Sequence, residues 1–320
     1  MHLKQVLVAF IPYRAQNNVM QKQTTMPDNK KIALICEDPA NLFEMAGTED
    51  KKLLESLRTR GWIAEAKDWK DPQADWPLYD LVILKSPYDY HYRLNEFSTW
   101  LHKLSALSVR LLNPVEMVLW NADKHYLKEI SEAGFYIIPS IFLEKDVTTD
   151  LAGLFTRLGA DKIIVKPCVS GGSKNTFTLV KGDPELGKHP LNELLRQEAF
   201  IAQPFLKEIH AGEWSLVFFG GRFSHAIVKK PKEGDFRVQP QYGATIHSVQ
   251  PDAVVIKEAT ALVRRFAADA LYTRVDGVLV DGKLALMELE LIEPLLYTVF
   301  EERSVENYLA ALEEKMQAVS

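Results

Sequence analysis

Residues 286–294 read LMELELIEP, with Glu288, Glu290 and Glu293 set among apolar residues. In an extended chain alternate side chains share a face, so Glu288 and Glu290 lie together, opposite Met287, Leu289 and Leu291. Neighbouring carboxylates repel, and an unpaired buried one is very costly, so a cation, a bound proton or water has to relieve them. Upstream, Asp281-Gly282 is a strong hairpin-turn signal. It folds RVDGVLV back on KLALMELEL and sets Asp276 across the ladder from the glutamates. Three such groups are hard oxygen ligands of the kind that magnesium shares with nucleotide phosphates, and manganese accepts the same donors. The competing reading is a solvated sheet face, with Glu293 before Pro294 merely ending the strand.

Basic residues supply the opposite charge. Lys166 stands inside IIVKP, where a cation among β-branched residues needs a partner or a ligand. Lys124 falls in the first turn of a predicted helix, where the dipole disfavours it unless an anion is near. Either side chain alternatively extends its ammonium to solvent. The turn KPCVSGGSKNT offers Gly171 and Gly172 for close backbone approach to phosphate, with Ser170, Ser173 and Thr176 as hydroxyl donors. It is not a Walker loop, because no helix opens there and no Gly-Lys-Ser/Thr follows. Lys229 and Arg237 flank the turn in VKKPKEGDFRVQPQYGA, suited to a carboxylate or a transferring phosphoryl group, or else to a solvated surface. The histidines have no triad spacing, although His91 and His225 are within reach of a substrate reading.

These groups need a scaffold. KIALICE reads as a first strand, followed by a helical stretch ending near Gly61, then WIAEAKDW and YDLVILKSP as strands. That order predicts a small Rossmann-like α/β unit over residues 31–113, without the G-x-G-x-x-G of dinucleotide binding. NADKHYLKEISEAGF predicts a helix capped by Asn121 or Asp123 and stopped at Gly134. KIIVKPCVSGGSKNTFTLV reads as a hairpin, NELLRQEAF as a helix before a short strand, and WSLVFFGGRFSHAIVKKP as a second hairpin. A helix over 251–270 precedes the acidic hairpin.

With 320 residues, 47% of them hydrophobic, the chain can build two or three packed units. A net charge of −5 with interspersed signs gives no basic face for nucleic acid. Cys36 and Cys168 form neither a disulfide framework nor a zinc motif, which points to a reducing compartment. No apolar run approaches the roughly 20 residues of a membrane span. A cytoplasmic enzyme is therefore the expectation. Residues 1–30, with the polar stretch RAQNNVMQKQTTMPDNK, read as an extension expected to lack order, unless QVLVAFI adds an edge strand; Met26 is an alternative start.

In their order along the chain, NADK, IIVKP with SGGS, QPFL with Glu213 soon after, GDFRVQPQYGA, RVDGV and MELELIEP resemble the ATP-grasp superfamily. The likeness runs over about residues 31–300 and is nearest the branch containing the cyclo-ligase of cycloserine biosynthesis. It implies an α/β and α+β architecture: a pre-ATP-grasp unit at 31–113, a central lid subdomain at 114–203 and a C-terminal subdomain at 204–320 carrying the magnesium site. By this resemblance Lys124 and Lys166 contact ATP, the Ser170–Ser173 turn covers its phosphates, and Gln203, Pro204 and Phe205 form the hinge that reads adenine. Glu213 and Lys229 complete the nucleotide site, Asp276, Glu288 and Glu290 hold magnesium, and Arg237 with Lys166 steadies the transferred phosphoryl group. Tyr88, Asp89, Tyr90 and Arg93 are the candidates for recognising an amino acid's charged ends, with helix capping and packing as their alternative. The implied activity is an ATP- and magnesium-dependent carboxylate–amine ligase or cyclo-ligase acting through an acyl phosphate on a small amino-acid-like substrate. A small-molecule kinase and a non-catalytic ATP-binding switch share the fold, and homodimers are common in the family. Two departures stand out: Glu290 replaces the more usual asparagine of the metal motif, and Ala244 replaces a second glycine after Gly243.

Overall fold

A computed structural model describes residues 30–37, 39, 45–172, 175–235, 237–238 and 243–317. The readings made for the extension, residues 1–29, and for Ser173 lie outside the described residues.

The first unit runs β1 (Lys31–Cys36), α1 (Met45–Thr59), β2 (Ile63–Lys67), β3 (Leu81–Ser86), α2 (Leu94–Ala106) and β4 (Leu111–Leu112). Its sheet has the order β2-β1-β3-β4 with every pairing parallel. A parallel sheet is covered on both faces, which explains why KIALIC is apolar without alternation. Ile32 and Leu34 pack with Leu53 and Leu57 of α1, while Ala33 and Ile35 pack with Phe97, Leu101 and Leu104 of α2. Both α2 and β4 escaped the sequence reading. Helix α2 is amphipathic, but its buried aromatic positions Phe97 and Trp100 sit within a segment dominated by tyrosines and charges.

The next stretch has α3 (Val115–Asn121), α4 (Tyr126–Glu132), β5 (Ile141–Leu143), α5 (Leu151–Leu158), β6 (Lys162–Pro167), β7 (Phe177–Val180), α6 (Leu191–Leu194) and β8 (Phe200–Pro204). The four strands form an antiparallel sheet in the order β5-β8-β6-β7. The predicted helix start is corrected here. Asn121 ends α3, and its amide crosses to a distant strand: Nδ2 donates to Leu289 O at 2.7 Å and Oδ1 accepts from Leu291 N at 3.0 Å. Asp123 accepts from His125 N at 3.0 Å in the turn before α4, so neither residue caps the helix as expected. The Asn121 amide serves two buried backbone groups, Leu289 O, which it shares with the Tyr126 hydroxyl, and Leu291 N, which outweighs one cap bond. Helix α6 is also far shorter than the helix read from NELLRQEAF.

The C-terminal strands are β9 (Glu213–Phe219), β10 (Arg222–Lys230) and β11 (Thr245–Val249), then α7 (Ala253–Phe266), β12 (Tyr272–Val280), β13 (Lys283–Glu290) and α8 (Ser304–Gln317). They form an antiparallel sheet in the order β11-β10-β9-β12-β13. Both expected hairpins are present. Asp281 at φ 49° and Gly282 at φ 77° make the two-residue turn that matches strand twist. At Gly277, beside a bulge in the β12–β13 pairing, a Cβ would lie 2.4 Å from Ala285 O, so the close approach requires glycine. The free edge of β13 is covered by residues 136–138: Leu286 N donates to Tyr136 O and Ile138 N to Leu286 O, each at 3.0 Å.

Candidate active site

The three sheets enclose a cavity of about 860 Å³. One wall is the β12–β13 hairpin, in which Asp276 pairs with Glu288 and Arg274 with Glu290. Arg274, only 6% exposed, donates from Nη2 to Asp276 Oδ2 at 2.8 Å, from Nε to Asp276 Oδ1 at 3.0 Å, and also to Glu290. Buried Lys229 pairs with Glu213 and lies 3.6 Å from Asp276 Oδ2. Ser215 Oγ donates to Asp276 Oδ1 at 2.6 Å.

Opposite stand the lysines. Lys124 Nζ lies 3.1 Å from Glu288 Oε1 and donates to Ser170 O at 3.1 Å and Ser170 Oγ at 3.3 Å, fixing the glycine turn to the acidic hairpin. Lys166 also faces the cavity, and among the described residues its ammonium has no ion pair. Gly171 and Gly172 line the same space, as do Gln203, Pro204 and Phe205; Gln203 Nε2 donates to Ser140 Oγ at 2.9 Å, which orients β8 toward the cavity.

Charge here is unevenly balanced. Burial opposes ionisation of Asp276, but Arg274 and then Lys229 outweigh it and hold its carboxyl well below the usual range. Glu288 is likewise lowered, by Lys124 and Lys166 acting against burial. Glu290 goes the other way: burial, with Asp276 and Glu288 nearby, pushes it well up despite Arg274. Burial and the Glu288 charge push Glu293 up to about 8. Lys166 is lowered by burial, with neighbouring Lys124 adding to the effect and Glu288 opposing it. Glu290 and Glu293 thus hold protons more readily than free carboxyls, because burial and the neighbouring carboxylates disfavour their ionised forms, beside a poorly solvated ammonium.

Arg237 borders the cavity with its guanidinium on Asp235, at 2.8 Å from Nη2 to Oδ2. Of the four residues proposed for substrate, Tyr88 and Tyr90 line the cavity. Asp89 and Arg93 do not: Asp89 accepts from Trp69 Nε1 at 2.9 Å and from Lys70, while Arg93 donates from Nε to Glu96 at 2.9 Å on the surface. The short helical turn over 90–92 buries the Tyr90 ring, while Asp89 before it is engaged by Trp69 and Lys70 and Arg93 after it by Glu96. Sequence reading missed Arg274 and Glu293. The alternation that joined Glu288 to Glu290 applies equally to Arg274 and Asp276, so that signal was available.

Among the described residues one group of three His, Cys, Asp or Glu ligand atoms lies within 4.8 Å of one another: Asp123, His125 and Cys168. The carboxylates of Asp276, Glu288 and Glu290 are spread more widely along their wall, an arrangement suited to an ion shared with phosphates rather than caged by protein. Their hard oxygens, and the crowding of negative charge at Glu290, fit a divalent cation.

Comparison with known proteins matches residues 32–113 to the N-terminal domain of the D-cycloserine synthetase DcsG, and residues 138–281 to the ATP-grasp domain of prokaryotic glutathione synthetase. The cycloserine biosynthesis protein DcsG of Streptomyces lavendulae is 30% identical over 285 residues, covering 83% of this chain and 93% of that protein. The chain belongs to the family of ATP-grasp ligases that includes DcsG. The crystal structure of D-cycloserine synthetase DcsG superposes with a TM-score of 0.76 at 28% identity, over 89% of this chain and 99% of that one. The D-alanine–D-alanine ligase from Bacillus anthracis complexed with ATP matches with a TM-score of 0.67 over 90% and 99% of the two chains; at 15% identity this shows a shared fold. The expected ATP-grasp fold is therefore borne out, and the chain is an ATP-using, C–N bond-forming ligase. Among the described residues no helix is long and apolar enough to cross a membrane.

Proposed function

We infer that this ligase activates the carboxylate of a small amino-acid-like substrate as an acyl phosphate and closes or joins it with an amine. The observation that carries the reading is the convergence of Lys124, Lys166, Lys229 and Arg274 with Asp276, Glu288 and Glu290 on one cavity. A carboxylate is a poor electrophile, and phosphorylation gives it a leaving group. Phosphoryl transfer is catalysed mainly by positioning and charge neutralisation, which fixed buried cations provide without reorganisation. Lys166 is suited to the transferring phosphoryl oxygens because among the described residues it forms no ion pair, whereas Arg274 and Lys229 are held in place by theirs.

Asp276, Glu288 and Glu290 are the residues that would hold magnesium, which would neutralise phosphate charge when bound. Glu290 in place of asparagine adds a formal charge that Arg274 offsets. Gln203 and Pro204 at the end of β8, with Phe205 just beyond it, provide the nucleotide's base edge with backbone and apolar contacts, and Gly171 with Gly172 cover its phosphates. The three sheets support a division at 31–113, 114–203 and 204–320, with the end of β8 crossing the last boundary by one residue.

The test is ADP release stimulated by amino acids carrying a heavy-oxygen carboxylate. Label appearing in inorganic phosphate marks an acyl phosphate, and a phosphorylated product marks a kinase instead. ATP bound with no stimulated ADP release across the panel would turn the reading into a nucleotide switch.

A further inference from the structure

Each carboxylate on the paired strands holds a cation: Asp276 has Arg274 and Lys229, Glu288 has Lys124, and Glu290 has Arg274. Glu213 on β9 has Lys229. Glu293 faces the same cavity with no ion pair or side-chain hydrogen bond among the described residues, although it is half-buried. Lys124 and Arg274 reach this carboxylate only from a distance and do not offset its partial burial, so a cation from outside the chain is the natural complement.

Its surroundings specify which kind. A Cβ placed on Gly171 would stand 3.8 Å from Glu293 Oε1 and 3.1 Å from both Cε1 and Nδ1 of His91. Glu293 therefore sits where the glycine turn meets the first unit, next to the place at which a phosphoryl group would be transferred. Tyr88 also lines the cavity; among the described residues its buried hydroxyl has no hydrogen-bond partner, and after burial it responds to Lys85, Asp50 and Glu49 and last to Glu293. The backbone beyond is pinned, because buried Lys85 donates from Nζ to Pro294 O at 3.2 Å. The seat thus offers one carboxylate and one phenol among aromatic rings, fewer oxygen donors than a hard metal ion takes but suited to an ammonium.

We propose that Glu293, assisted by Tyr88, seats the substrate's amino group and takes its proton as the amine attacks the acyl phosphate. This rests on the ligase reading above and assigns the second half-reaction of the same site. The ammonium gives one proton to the Glu293 carboxylate. The freed lone pair forms the C–N bond, the acyl C–O bond breaks with its electrons leaving on phosphate, and the departing phosphate carries away the second nitrogen proton. An elevated carboxyl affinity for protons, as burial and Glu288 impose on Glu293, matches the acceptor to this task.

The experiment uses Glu293→Gln in the full chain, offered both hands of alanine, serine and diaminopropionate with ATP and magnesium, with and without hydroxylamine. Hydroxylamine is uncharged at neutral pH, so it can intercept an acyl phosphate without a protein base. The expected result is a loss of amide or lactam formation of about 10²- to 10⁴-fold. Hydroxamate formation and ATP affinity should stay within about threefold of the parent, which also reports that the variant is folded. Amide formation retained by Glu293→Gln would overturn the assignment. So would hydroxamate lost together with magnesium-dependent ATP affinity, since Glu293 would then belong to the metal site. If the parent chain itself yields neither hydroxamate nor label in phosphate, the ligase reading fails, and this assignment fails with it.

Discussion

Asp276 is held by Arg274 and Lys229 and by Ser215, all of them buried. Removing Asp276 leaves Arg274 with Glu290 and Lys229 with Glu213 but takes away the carboxylate they share, and breaking a buried pair typically costs about 3–5 kcal/mol. Asp276→Asn is therefore expected to lower the free energy of unfolding by about that much in urea titrations, and, combined with Glu288→Gln, to abolish magnesium-dependent nucleotide binding by calorimetry. The pH dependence has two opposite signs. Asp276 titrates lower in the folded chain than in the unfolded one, so its stabilisation is present above the ordinary aspartate value and is lost as pH falls below it. Glu293 titrates higher when folded, so its ionisation cost is absent below about 4.5 and grows until about 8. Without nucleotide or metal, the melting temperature of Glu293→Gln should rise relative to the parent as pH is raised through that window; a difference independent of pH would contradict the placement. The pairing of Asp276 with Glu288 was legible because alternation and a turn signal are local. The isolation of Glu293 was not, since it depends on where Lys124, Lys166 and Arg274 spend their charge.

At the level of elements, the β12–β13 hairpin carries most of the chemistry, and its geometry depends on Gly277. Gly277→Ala would drive a methyl group against Ala285 O, and relief requires the strands to part beside Asp276. A loss of about 1–3 kcal/mol is expected in chemical denaturation. Nucleotide binding should weaken as well, because Asp276 and Glu288 no longer stand opposite. Gly282→Ala, strained at a turn exposed to solvent, is expected to affect stability with little change in binding, and comparing the two separates strain from misplacement of the carboxylates. The hairpins and β1 were readable from period and turn residues. Helices α2 and α6 and the break between α3 and α4 were not, because tertiary partners decide them: α2 is fixed by its aromatic contacts with Trp69 and Tyr90, and the α3 end by Asn121 bonding to β13.

For the whole molecule, the first unit and the segment that follows the acidic hairpin are bound by side chains buried between them. Lys85 on β3 pairs with Glu49 at 2.9 Å and Asp50 at 3.2 Å. Glu49 in turn accepts from Leu296 N at 2.8 Å and Thr298 N at 3.0 Å. Lys85→Met strands two buried carboxylates, and a destabilisation of about 3–5 kcal/mol is expected by urea or thermal unfolding. A triple replacement of Lys85, Glu49 and Asp50 by apolar residues should recover much of it, although Leu296 and Thr298 then lose acceptors. None of this network was visible in sequence, because its members are brought together only by folding; Lys85 and Pro294 stand 209 positions apart.

Asn113 adds a further clasp: its amide donates to Tyr272 O at 3.0 Å and Leu291 O at 2.8 Å and accepts from Leu271 N at 2.7 Å, while the Tyr272 hydroxyl donates to Leu84 O at 2.7 Å and Ile292 O at 2.9 Å. Two layers sewn together this firmly cannot spread to admit a bulkier guest. Any attempt to re-engineer the enzyme for larger reactants should therefore trim the rings of Tyr88, His91 or Tyr92 at the rim and leave the seam intact.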